Sequence, residues 1–174
     1  MTSPNPIIRR ATIADAALLA DIGHRSFDEA FTPTNDAQSM SEYMGQAFSH
    51  AVQAEELADP DNQFFIADID GVAAGYAMLR AGSVEPGITG DNPIELVRLY
   101  ALQAWVGRGV GAALMDHCLT IARTSDHDII WLGVWEFNPR AQAFYRKYGF
   151  AEVGTHVFHL GPEAQTDLLM QRAL

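Results

Sequence analysis

The sequence predicts a single mixed α/β domain of about 6–7 strands and about four helices, on three observations. Short apolar runs bounded by turn signals alternate with stretches of helical spacing, in the order β-α-α-β-β-β-α-β-α-β-β. An apolar fraction of 48% with 10% aromatic residues is enough for one packed core. The length of 174 residues is that of one domain, so residues 1–174 are read as one unit. No internal repeat, low-complexity tract or heptad array interrupts this pattern.

Ile7 to Arg10 reads as the first strand. Thr12 with Asp15 has the spacing of a capping box and opens a helix through Ala16, Leu19 and Ala20, which Thr32-Pro33-Thr34-Asn35 breaks. One further helical stretch is expected from Asp36 to Ala58, closed by the loop Asp59-Pro60-Asp61-Asn62. Two strands, Phe64 to Ile69 and Gly75 to Leu79, flank Asp70-Gly71, a strong hairpin signal. The glycine- and proline-containing segment 82–93 reads as a surface loop. Ile94 to Leu102 returns as a strand, Gly109 to Arg123 as a helix, and Ile129 to Val134 as a buried strand. Asn138-Pro139 has the form of an N-cap followed by proline in the first turn, and Gly149 ends that helix. Phe150 to His159 and Asp167 to Arg172 complete the chain as two strands joined through Gly161-Pro162.

Charge and composition remove several function classes. With 22 acidic against 11 basic residues the net charge is −11, which disfavours nucleic acid as a partner. The single cysteine, Cys118, excludes an internal disulfide and a multi-thiolate metal site. No metal site is expected. No run approaches the roughly 18 apolar residues of a membrane span, and no membrane partner is expected. A cytoplasmic location is therefore expected. The acidity is uneven: residues 1–62 hold ten acids and three bases, whereas residues 98–147 hold four acids and six bases. An anionic ligand belongs on the second stretch.

That stretch contains Val106-Gly107-Arg108-Gly109-Val110-Gly111 between a strand and a helix. Alternate glycines permit close backbone approach, and a helix N-terminus offers unpaired N–H groups with the positive end of the dipole. The segment reads either as an anion cradle, to which Arg108 adds charge, or as a flexible turn before a core helix. Gly107-x-Gly109-x-x-Ala112 also satisfies a weak dinucleotide fingerprint. That fingerprint belongs after the first strand of a doubly wound sheet, but here three or four strands precede it, so the dinucleotide reading is set aside.

The chain resembles the GNAT superfamily of acyl-CoA-dependent N-acyltransferases, and small bacterial acetyltransferases of that family in particular. The family's pyrophosphate loop, Gln/Arg-x-x-Gly-x-Gly/Ala, corresponds to Val106-x-x-Gly109-x-Gly111, departing only at Val106. A second block follows as Asn138-x-x-Ala141-x-x-Phe144-Tyr145-x-x-x-Gly149-Phe150, and Arg98 to Leu102 is similar to the family's fourth strand. The resemblance implies splayed central strands and acetyl-CoA as co-substrate, with its pyrophosphate on Val106, Gly107, Arg108, Gly109, Val110, Gly111 and Ala112. It further implies a pantetheine arm along Leu99, Tyr100 and Ala101, contacts from Asn138 and Phe144, and polarisation of the thioester by the Leu99 N–H. Tyr145 would protonate the departing thiolate, the alternative being an aromatic that packs its helix onto the sheet.

Glu95, fourteen residues before Gly109, reads as a general base for the amine or as a solvated strand residue. Strict alternation would put Glu95, Val97, Leu99 and Ala101 on one face. His156 and His159, three apart on a strand, point to opposite faces and make a poor metal pair. The expected activity is direct transfer of an acetyl group to the primary amine of a small molecule or peptide; the alternative is a non-catalytic acyl-CoA-binding sensor of the same fold. Residues 12–62 would shape the acceptor side, and Asp28, Glu29, Asp36, Glu42, Glu55 and Glu56 there lean towards a cationic amine. The resemblance also allows a homodimer.

Overall fold

A computed structural model describes residues 5–174. The strands are β1 (Ile7–Arg10), β2 (Asn62–Ile69), β3 (Val72–Ala81), β4 (Pro93–Ala101), β5 (Ile129–Trp135), β6 (Ala151–Leu160) and β7 (Glu163–Ala173). The helices are α1 (Ala16–Phe31), α2 (Ala37–Ala47), α3 (His50–Ala58), α4 (Val110–Thr124) and α5 (Pro139–Lys147). All seven strands form one sheet in the order β1-β2-β3-β4-β5-β7-β6.

Local chemistry accounts for the turns. Asp70 and Gly71 both have positive φ, 52° and 78°, as the tightest β2–β3 hairpin turn requires. The Asp15 carboxylate accepts from the Thr12 N–H at 2.8 Å and is gripped by the Arg9 fork at 2.9 and 3.0 Å. This holds its carboxyl below the usual range and fixes the entry to α1.

The expected helix 36–58 is two helices, which brings the count to five α-helices among the described residues. Ser49 supplies a second N-cap, its hydroxyl accepting from the Val52 N–H at 3.2 Å. The fully buried Gln53 amide donates to the Ala47 carbonyl at 2.8 Å, satisfying the end of α2 across the break. Asn62, expected in the loop, begins β2 instead. Its side-chain NH2 donates to the Glu56 carbonyl, and its Oδ1 accepts from Arg80 of β3.

Helices cover both faces. On one, Leu114, Met115 and Cys118 of α4 pack on Phe65, Ala77, Leu79, Ile130 and Leu132. On the other, Leu19 and Ile22 of α1 meet Phe64, Ile66, Tyr76 and Met78, while Met40 and Met44 of α2 join Phe27, Phe48 and Leu160. Burial pushes the Cys118 thiol up to about 12, so it is inert core.

Two departures from regular pairing create the site. β4 and β5 run parallel but pair only at Pro93–Glu95 with Ile129–Trp131; beyond that point they diverge. The splay expected from the resemblance is thus present. In β4, Leu96 lies opposite Leu79 and Arg98 opposite Met78, so Val97 is an extra, bulged residue.

Candidate active site

The bulge corrects the expectation that Glu95 and Leu99 share a face. Leu96, Leu99 and Ala101 pack with the α4 cluster, whereas Val97 and Tyr100 pack with the α1 cluster. Glu95 lies opposite Arg80, whose guanidinium reaches towards Glu56 of α3. Glu95 is therefore on the α1–α3 face and Leu99 on the α4 face. They meet only where the strands part.

A groove of about 1180 Å³ follows that parting. Leu99, Tyr100 and Ala101 form one wall, and Trp135, Asn138, Ala141, Phe144 and Tyr145 the other. At its outer end lie Val106, Gly107, Gly109, Gly111 and Ala112, with Arg140 nearby. Gly107 and Gly109 have φ of 79° and 85°, and a Cβ on either would meet open space. Gly109 is the N-cap of α4, and its carbonyl accepts the first α4 bond, from the Ala113 N–H at 2.9 Å. The N–H groups of Val110, Gly111 and Ala112 precede that bond and have no carbonyl one turn back within the helix. Gly111 is different in kind: a Cβ there would sit 3.8 Å from the Phe144 ring, an ordinary contact. Arg108 stacks on Trp105, 5.5 Å from its ring centroid. This loop fits a diphosphate: it is open, its backbone is turned by glycine, and a helix begins behind it.

Asn138 caps α5, its Oδ1 accepting from the Ala141 N–H at 3.1 Å, which leaves its NH2 as the available donor. Burial pushes the Tyr145 phenol above the usual tyrosine range, so it keeps its proton at neutral pH.

The groove opens inward to a second cavity of about 350 Å³ on the α1–α2 side. Glu95, Tyr145 and the Leu99–Ala101 edge line it, with Phe27, Tyr43 and Phe158 as aromatic walls. Two of its ionisable residues were not singled out from the sequence as site residues: Asp167 of β7 and His156 of β6. Half of the six acids in 12–62 that suggested a cationic acceptor have structural tasks. Glu29 accepts from the Gln103 N–H at 2.7 Å, Asp36 caps α2, and Glu56 binds Arg98 at 2.7 and 3.0 Å. The carboxylates that face the cavity, Glu95 and Asp167, lie outside that segment.

Residues 25–150, well over half of the chain, match the Acetyltransferase (GNAT) family. The chain belongs to that family. This GNAT acetyltransferase is 37% identical over 162 residues to an uncharacterised N-acetyltransferase of Mycobacterium bovis, covering 93% of this chain and 99% of that one. It is 33% identical over 125 residues to the N-alpha-acetyltransferase RimI of Mycobacterium tuberculosis, covering 68% of this chain and 75% of that one. Its fold is shared with the PaiA N-acetyltransferase of Thermoplasma acidophilum, solved with coenzyme A, at a TM-score of 0.76 and 19% identity, over 97% of this chain and 99% of that chain. As in the sequence reading, the GNAT acetyltransferase is an enzyme of mixed α/β fold with an open sheet. No helix among the described residues is long and apolar enough to cross a membrane.

Proposed function

We propose that the enzyme moves an acetyl group from acetyl-CoA to a primary amine of a small molecule or peptide by direct attack. The observation that carries this reading is the junction at the splay, where the glycine-loop groove meets a carboxylate-bearing cavity beside Glu95 and Tyr145. The co-substrate is a thioester diphosphate, and the residues fit it. The backbone of Gly107 to Ala112 holds the diphosphate, with Val106 and Arg108 shaping the loop. The β4 edge at Leu99, Tyr100 and Ala101 accepts the extended arm, and Asn138 and Phe144 line it opposite.

The Leu99 N–H polarises the thioester carbonyl. Glu95, from the other face, removes a proton from the acceptor, whose amine is otherwise protonated at neutral pH. Tyr145 protonates the departing sulfur. No covalent enzyme intermediate is needed, in keeping with the buried, inert Cys118. A cationic acceptor is favoured by Glu95 and Asp167 rather than by overall acidity. The similarity to an N-alpha-acetyltransferase keeps a peptide amino group among the candidates.

Thiol release from acetyl-CoA, measured across a panel of alkylamines, diamines and peptides, tests the reading. Release with at least one amine is expected; tight CoA binding without release on any of them would make the protein a sensor. The cradle has its own test by calorimetry. Gly109→Val forces a branched side chain into a left-handed backbone at about 1–2 kcal/mol, and CoA affinity should fall about tenfold. Gly111→Ala should bind as the parent does, and equal affinity of the Gly109 variant would discredit the cradle.

A further inference from the structure

Amide formation from an ammonium acceptor sheds two protons from nitrogen as the C–N bond forms and the C–S bond breaks. One is balanced by protonation of the departing sulfur. The other must leave a cavity walled by Phe27, Tyr43 and Phe158. Glu95 can take it but must lose it again before the next turnover.

On the far side of β5 from Glu95, and on the same face, three ionisable groups stand in a row. Asp167 Oδ2 lies 3.5 Å from His156 Nε2, and His156 Nδ1 lies 3.7 Å from Glu85 Oε1. Their side chains grade from the cavity to the surface, at 13%, 27% and 38% exposure. His156 Nε2 is buried without a hydrogen-bond partner, an expensive state that a merely structural imidazole would avoid. Room for the pair comes from β5: a Cβ at Gly133 would lie 2.8 Å from His156 Nε2 and 3.2 Å from Asp167 Oδ2. Glu85 is held in reach because its loop is pinned, with Ser83 accepting from the Trp131 indole at 3.2 Å and Gly87 packed on the Val153 carbonyl.

Building on the acetyl-transfer reading, we propose that Asp167, His156 and Glu85 form a relay that carries the acceptor's released proton from the cavity to solvent. Glu95 and Asp167 stand on strands separated by β5 and four residues apart along the sheet, so water in the cavity they share carries the proton from one to the other. Asp167 hands it to His156 Nε2, and a proton leaves Nδ1 for Glu85 and then water. Both gaps are longer than a hydrogen bond, so each transfer requires the imidazole to turn towards its partner.

The other ionisable groups lining this cavity are Arg98 and Tyr100 from β4, Tyr43 from α2 and Tyr145 from α5. Arg98 is bound to Glu56, and burial raises all three phenols, so none of the four competes for the proton. Burial also raises the Asp167 carboxyl above its usual range, making it a better proton acceptor than a solvated aspartate.

Kinetics of the intact enzyme test the relay, with acetyl-CoA and whichever amine the panel identifies. Asp167→Asn should lower kcat about tenfold or more, leave KM for acetyl-CoA unchanged and shift the acidic limb of the kcat profile, leaving the part that Glu95 sets. A carboxyl with a raised pKa favours folding below its unfolded pKa and loses that stability as pH rises through the folded value. Asp167→Asn should therefore melt no lower than the parent at neutral pH, separating slow turnover from damage to the fold. His156→Ala should be equally slow, and added imidazole should restore it. Unchanged kcat and pH profiles in both variants would overturn the relay alone, as would slow variants that melt early and ignore imidazole. Absence of turnover by the parent on every amine would overturn the acetyl-transfer reading and the relay with it.

Discussion

Tyr145→Phe should lower kcat by about 100- to 10 000-fold while acetyl-CoA binds as before. The substitution removes one oxygen and leaves the ring that packs beside Phe144 and Phe150. The effect thus falls on chemistry and not on the helix. Because burial raises this phenol, it stays protonated past about 10, where a free tyrosine ionises. The parent should accordingly show no loss of rate from this group between neutral pH and that point. An acyl donor with a more acidic thiol, which departs without a proton, should recover much of the variant's rate. Equal kcat in the two proteins, read by thiol release, would remove Tyr145 from the reaction.

Arg98→Ala is the substitution expected to damage folding most. The Arg98 side chain is 8% exposed, is held by both Glu56 oxygens, and lies 5.3 Å from the Phe48 ring centroid. Removing Arg98 from this largely buried pair leaves Glu56 only the longer 4.0 Å contact with Arg80, at up to about 3–5 kcal/mol. Urea unfolding should show that loss, and Arg98→Met combined with Glu56→Met should restore most of it. A loss below about 1 kcal/mol, the value of a surface pair, would show that the clamp carries little. The pair also ties α3 to β4 one residue beyond the bulged Val97. A destabilised variant should for that reason be slow as well as weak, since the bulge sets which way Leu99 faces.

Local chemistry made much of the fold legible. Asp70-Gly71, the Asn138-Pro139 cap and the α4 periodicity each depend on residues adjacent in sequence. The α2–α3 break was missed because Ser49 is one polar residue among many in that stretch. Its cap is stabilised by Gln53, whose burial only the fold reveals. The bulge at Val97 was out of reach for a similar reason: nothing in Ile94 to Leu102 distinguishes an extra residue from a regular strand, and the mismatch exists only against β3. The Asp167–His156 pair was closer to hand. Gly161-Pro162 marks a turn, Leu160 pairs with Glu163, and counting four residues outward on each strand brings His156 opposite Asp167. Considering His156 with His159 alone, as a metal pair, hid that partner. Arg98 carried a signal too, because an arginine inside an apolar strand needs an acid, but the choice of Glu56 among ten acids in residues 1–62 required the tertiary structure.

The parting of β4 from β5 has a mechanical consequence. With three paired positions joining them, β1 to β4 and β5 to β6 behave as two leaves on a short spine. On the proposed reading, an extended donor arm bonded along β4 would lace the leaves together in place of the absent strand pairing. The donor would then stiffen the walls between which the amine must fit, and the entropy of ordering them would be spent before the acceptor arrives. Donor-first binding is the expected result, with amide hydrogens at the β4 edge slowing their exchange on donor binding alone.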